Sequence, residues 1–164
     1  MDRRQAIALL AIAAPAIAQP GGQNLLIGAW RLRSNVRTLR DGHTQNHFGP
    51  NPVGRIEYDK SGRMFALLMR PGRSSTVPAG MELDNAPEGE LRDAVTGFVA
   101  YYGNFEVDEA THTVIHHVQA SLVPSWVGTD LKRNFYFEVG SLVLTRTSPD
   151  GTSSDRLVFD REPD

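Results

Sequence analysis

From Ile27 to Arg161 the chain is a succession of short apolar–polar alternations cut apart by turn residues, a pattern that leaves few folds open. Trp30, Leu32 and Val36 share one parity, with Arg31, Arg33 and Arg37 opposite. Ile56 and Tyr58 alternate with Arg55, Glu57 and Asp59. Val114, His116, Val118 and Ala120 make a third face, and Leu131, Arg133, Phe135, Phe137 and Val139 a fourth. Leu142 with Leu144, and Leu157 with Phe159, complete the set. A period of two is the mark of a strand with one buried face. Asp59-Lys60-Ser61-Gly62, Asp108-Glu109-Ala110-Thr111, Val139-Gly140 and Pro149-Asp150-Gly151 supply turn chemistry between the runs. The spacing predicts eight strands, at roughly 28–38, 54–59, 62–70, 102–108, 112–121, 130–139, 141–147 and 153–161. One helix is expected over 87–101, opened by a possible Asn85–Glu88 capping box. There Leu91, Ala94, Val95, Phe98 and Tyr102 recur at helical spacing, a stripe suited to docking on the sheet. The fold class is therefore mainly β, an eight-stranded antiparallel up-and-down barrel with one short helix.

Connection lengths orient this barrel. Alternate connections of an up-and-down barrel lie at the same end, and the long ones, about 39–53, 71–101 and 122–129, follow strands one, three and five. Tight turns follow strands two, four and six. Gly28-Ala29-Trp30 opens the first strand and Arg161 closes the last, so both belong to the tight end. There a guanidinium can lie on the indole face and keep its hydrogen bonds. Otherwise Trp30 is an ordinary core aromatic and Arg161 a solvated charge. A ligand entrance belongs at the opposite, loop-rich end.

The totals exclude several function classes. A chain of 164 residues suits one domain. With a formal net charge of -2 and no basic run, it offers nothing to nucleic acid. It contains no Cys, hence no disulfide framework and no thiol chemistry. Arg3 and Arg4, the apolar stretch Ala6–Ala14 and the small-x-small site Ala16-Ile17-Ala18 read as a signal peptide over residues 1–18. The alternative is an N-terminal core helix. Residues 19–164 would then form a mildly acidic barrel domain, periplasmic or secreted, without an integral membrane segment. The apolar stretch is too short to span a bilayer. The export route and the oligomeric state are not encoded in any motif.

Several stretches resemble the bacterial lipocalin-like domain family, a calycin relative. They are Leu26-Ile27-Gly28-Ala29-Trp30-Arg31-Leu32, Phe48-Gly49-Pro50-Asn51-Pro52-Val53-Gly54-Arg55-Ile56-Glu57-Tyr58-Asp59 and Gly62-Arg63-Met64 through Met69-Arg70-Pro71. Phe98-Val99-Ala100-Tyr101-Tyr102-Gly103, His116-His117-Val118 and Trp126-Val127-Gly128-Thr129-Asp130 continue the match. The resemblance implies a lipocalin-like barrel with an interior cavity, its floor closed by the Trp and Arg named above. It implies no defined activity, and fold alone does not supply one.

Candidate ligand-binding residues are Tyr58, Tyr102, His116, Trp126 and Arg133. His116 and His117 point to opposite faces of one strand, with His116 in phase with Val114 and Val118 and so inward. It is either a core histidine satisfied by a neighbour or a proton donor or acceptor on a ligand. Arg133 is inward by phase and needs acceptors: an internal salt bridge to Glu106 or Asp130, or the carboxylate or enolate of a ligand. Tyr58, Tyr101, Tyr102 and Trp126 could line the cavity or simply pack, and Trp126 stands out on a rim loop bounded by Pro124 and Gly128. No metal site or cofactor is expected: His112 and His116, four apart on a strand, stand roughly 13 Å from each other. No Ser–His–Asp arrangement is visible. The expected function is an exported barrel that binds a small apolar or amphipathic molecule. The alternative is a small-molecule isomerase or cyclase that transfers protons inside the cavity.

Overall fold

A computed structural model describes residues 21–73 and 75–163. The expected signal peptide lies outside them. Within them a short helix α1 (Gly22–Leu26) leads into β1 (Gly28–Leu39), followed by β2 (Thr44–Asn46), β3 (Val53–Tyr58) and β4 (Arg63–Met69). Then come α2 (Glu88–Thr96), β5 (Phe98–Asp108), β6 (Thr113–Ser121), β7 (Asp130–Glu138), β8 (Ser141–Thr147) and β9 (Ser153–Arg161). Every sequential pair from β3 to β9 is antiparallel, β3 pairs with β1, and β1 pairs with β9, which closes an eight-stranded barrel. The ninth strand, β2, is a flap on the upper part of β1, inside the first long connection. No helix among the described residues is long and apolar enough to cross a membrane.

The floor is the expected one. The Arg161 guanidinium lies 4.9 Å from the Trp30 ring centroid. Its Nη2 donates to the Ile27 carbonyl at 2.8 Å, and Trp30 Nε1 donates to the Leu26 carbonyl at 2.8 Å. Trp30 is 2% exposed, so the pair seals the barrel without leaving its donors unpaired. Gly28 is required on two counts. Its φ of +132° disfavours any side chain, and a Cβ there would stand 3.0 Å from Arg161 Nη2.

Two β-bulges redirect the walls. The β1–β9 register shifts between Leu32 and Ser34, so Arg33 is the extra residue and the parity reverses above it. Trp30 and Leu32 face inward below the bulge; above it Asn35 and Arg37 do, not Val36 as simple alternation suggests. A second shift, between Tyr102 and Gly103 on β5, makes Gln119 the extra residue of β6. It turns Ala120 onto the outer face beside Tyr102, away from the inward Val114, His116 and Val118. At this crossing Gly103 brings the strands so close that a Cβ would fall 1.9 Å from the His117 carbonyl oxygen.

The helix departs from expectation. It spans only Glu88–Thr96, its N-cap is Pro87 without a side-chain cap, and Asn85 belongs to a preceding 3₁₀ turn. Phe98 to Tyr102 pair with β4 instead, Phe98 against Met69 and Tyr102 against Phe65. Strand hydrogen bonding and burial thus override a helical spacing that continues through the same residues. Val95 is 52% exposed and Leu91 half-buried, so no apolar stripe docks the helix. Polar contacts hold it: Arg70 pairs with Asp93, and Arg73 donates to the Ala94 carbonyl while lying 5.3 Å over the Phe98 ring.

Replacing Trp30 with Ala should cost roughly 3–5 kcal/mol, as loss of a large core aromatic does. Urea unfolding will measure it. A loss under about 1 kcal/mol would show that the floor does not hold the barrel together.

Candidate functional site: a cavity at the loop-rich end

Above the floor, inward side chains of β1, β3, β4, β5, β7, β8 and β9 enclose a cavity that reaches the rim. The cavity measures about 60 Å³, and all the space between its walls and mouth about 530 Å³. Ile56, Ala66, Leu68, Leu144, Leu157 and Phe159 supply an apolar wall. Two aromatic groups cap it. Phe48, 3% exposed, comes from the connection after β2. Trp126 comes from the 3₁₀ turn Pro124–Trp126 and meets the Tyr101 ring edge-on at 5.8 Å.

The polar wall is concentrated at the rim. Asp155, 4% exposed, receives Arg37 Nε at 2.8 Å and Nη2 at 3.1 Å, and Arg146 Nε at 2.7 Å. Burial pushes its carboxyl up, but the Arg37 hydrogen bonds and the Arg146 charge prevail and hold it below the usual carboxylate range. Burial and the Arg37 charge push His47 down. The Oδ1 of Asn35 is buried and has no hydrogen-bond partner among the described residues. Arg133 also lines the cavity; its Nη1 donates to the Lys132 carbonyl at 2.8 Å, and it forms no ion pair among the described residues. Glu106 and Asp130, its expected internal partners, lie on the outer face against His117, Asp130 at 2.7 Å and Glu106 at 3.7 Å.

His116 is fully buried between two tyrosines, with Tyr58 Oη 2.9 Å from Nε2 and Tyr101 Oη 3.0 Å from Nδ1. Burial, then the Arg133 charge, push its pKa down to about 3, so the ring is neutral and carries one N–H. One tyrosine donates to the ring and the other accepts from it. Tyr58, 1% exposed and behind the cavity wall, has no other partner for its proton among the described residues, and leaving that donor unpaired would cost about 1–3 kcal/mol. Tyr58 therefore donates to Nε2, and Nδ1–H donates to Tyr101. The Tyr101 O–H is left free to point into the cavity that Tyr101 lines.

A family model described as a lipocalin-like domain matches residues 27–160. The chain belongs to the lipocalin-like domain family. A relative from Aspergillus oryzae (strain ATCC 42149 / RIB 40), the 4'-hydroxy-3'-methoxypropiophenone carrier protein ppsC, is 33% identical over 92 residues. The alignment covers 52% of this chain and 81% of that protein. Neither match carries the restriction to bacteria.

In this lipocalin-like barrel the five candidate residues separate. Trp126 and Arg133 line the cavity. His116 and Tyr58 stand behind its wall and act on it through Tyr101. Tyr102 is 54% exposed on the outer face, and its neighbour Tyr101 faces inward, sharing the parity of Gly103 and Phe105 on β5. Asn35, Arg37, His47, Phe48, Arg146 and Asp155 were not among the candidates. The bulge at Arg33 hides the first two, while Phe48 stands within a stretch that carries the family resemblance.

His116 has a pH signature. Its folded pKa lies below the unfolded value of about 6.5, so the unfolded chain binds the extra proton between the two. Its contribution is complete above pH of about 6.5 and falls as pH drops toward 3, by at most roughly 1.4 kcal/mol per pH unit. Unfolding free energies at pH 7.5 and 5.5 should differ less in His116→Gln than in the parent. An unchanged difference would remove His116 as the cause.

Proposed function

We propose that this barrel is a carrier that encloses a small amphipathic molecule, mostly apolar with a polar end, and works outside the cytoplasm after removal of residues 1–18. The observation that carries the binding reading is the cavity, where an apolar wall meets a few fixed polar groups at a capped mouth. The relative named as a carrier of an aryl ketone supports it. Export rests on the N-terminal pattern alone.

Ligand pockets generally measure roughly 300–1,000 Å³, far above the 60 Å³ of this cavity. Loading therefore requires Phe48 and Trp126 to swing outward, and both sit on connections rather than strands. Trp30 and Trp126 are the two tryptophans of the chain, and Trp30 is locked in the floor. Titration with 4'-hydroxy-3'-methoxypropiophenone should change the emission of Trp126, and Trp126→Phe should abolish that signal while binding by calorimetry weakens. Native mass spectrometry of protein purified from its own source should show a retained small molecule. A barrel that emerges empty and binds no such probe would overturn the carrier reading.

The Tyr58–His116–Tyr101 chain favours a second reading, proton transfer to a bound molecule by Tyr101 as an isomerase or cyclase would use it. Recovery of a chemically rearranged ligand from the barrel distinguishes it from carriage.

A further inference from the structure

We propose that the cavity takes a hydroxylated organic acid, its acid oxygens held by Arg133 and the Tyr101 hydroxyl and its hydroxyl donated to Asn35 Oδ1. This rests on the carrier reading and assigns the cargo a chemical class. Charge comes first. Arg37, Arg133 and Arg146 face the cavity with Asp155 as the single carboxylate, and that carboxylate is already engaged by Arg37 and Arg146. Arg133 lies one step beyond the Asn134–Thr145 pair, where the adjoining strand presents Arg146, a like charge. A half-buried guanidinium set in a largely apolar wall is costly to leave without an anion beside it. Its planar fork matches the two oxygens of a carboxylate.

The hydrogen-bonding groups extend the match. Tyr101 offers a proton into the cavity because His116 already donates to its oxygen. Asn35, 4% exposed, presents an acceptor without a donor. An ionised acid has no proton to give it, whereas a hydroxyl elsewhere on the same ligand does. Ile56, Leu68, Leu144 and Phe159 form apolar wall to cover a hydrocarbon or aromatic body.

Calorimetry on the full chain at pH 7 tests this with four probes: 4-hydroxycinnamate, its methyl ester, 4-methoxycinnamate and the neutral 4'-hydroxy-3'-methoxypropiophenone. The acid should bind at least about tenfold more tightly than its ester, the scale of one charge-assisted contact. It should also exceed the methoxy acid several-fold. Arg133→Met should erase the acid–ester difference, Asn35→Leu the hydroxy–methoxy difference, and Tyr101→Phe should weaken the acid alone. If Arg133→Met does not fold, the polar but uncharged Arg133→Gln replaces it, and an acid–ester difference unchanged in that variant counts against the assignment. Ester or propiophenone binding as tightly as the acid would overturn the acid class and leave the carrier reading intact. Failure of all four probes would overturn the acid class, and a barrel that also emerges from its source empty would overturn the carrier reading with it.

Discussion

The stacking of Arg161 on Trp30 is the contact on which the rest of the barrel depends. It joins the beginning of the first strand to the end of the last, 131 positions apart in register partners Trp30 and Arg161. Closing so long a stretch of chain is entropically expensive, and a long-range pairing must offset that expense with burial and directional bonds. Trp30 supplies the burial, and the two donated hydrogen bonds to Leu26 and Ile27 tie α1 to the same point. Once β1 and β9 are held in this register, every inward residue of the upper barrel has its place.

That upper half is organised by opposing demands. The aliphatic wall favours water exclusion, yet three guanidinium groups are set into it with one carboxylate. Arg37 and Arg146 have Asp155, whereas Arg133 has a backbone carbonyl. The buried Tyr58–His116–Tyr101 chain resolves its own hydrogen bonding and leaves one donor over. Asn35 leaves one acceptor over. Spare donors, a spare acceptor and spare positive charge in one small space describe the complement of a molecule rather than a finished core.

Much of the barrel was legible because strands with one buried face must alternate, and their tight turns need Gly, Asp and Ser. The floor was legible too, since Gly28, Trp30 and Arg161 stand at strand ends whose positions follow from connection lengths. His116 and Arg133 were placed inward correctly by phase. What escaped was whatever depends on a break in phase. Nothing in Leu32-Arg33-Ser34 or Val118-Gln119-Ala120 announces a bulge, since no Gly or Pro marks either. The Arg37–Asp155–Arg146 cluster joins residues of β1, β8 and β9 that no local spacing connects. Tyr101 and Tyr102 are adjacent identical side chains; the alternation of β5, with Asn104 and Glu106 outward and Phe105 inward, places Tyr101 inside, and the helical reading of these residues obscured it.

The bulge at Arg33 also separates two parts of a single strand. Below it β1 belongs to the closure; above it β1 belongs to the ligand space. Deleting that one residue would make Ser34 follow Leu32 in an unbroken pleat and keep Asn35 and Arg37 inward, while Trp30 stayed in the floor. Flattening the bulge with Arg33 retained would do the reverse, bringing Val36 in and turning Asn35 and Arg37 out, so strand pairing decides which of these side chains a ligand meets.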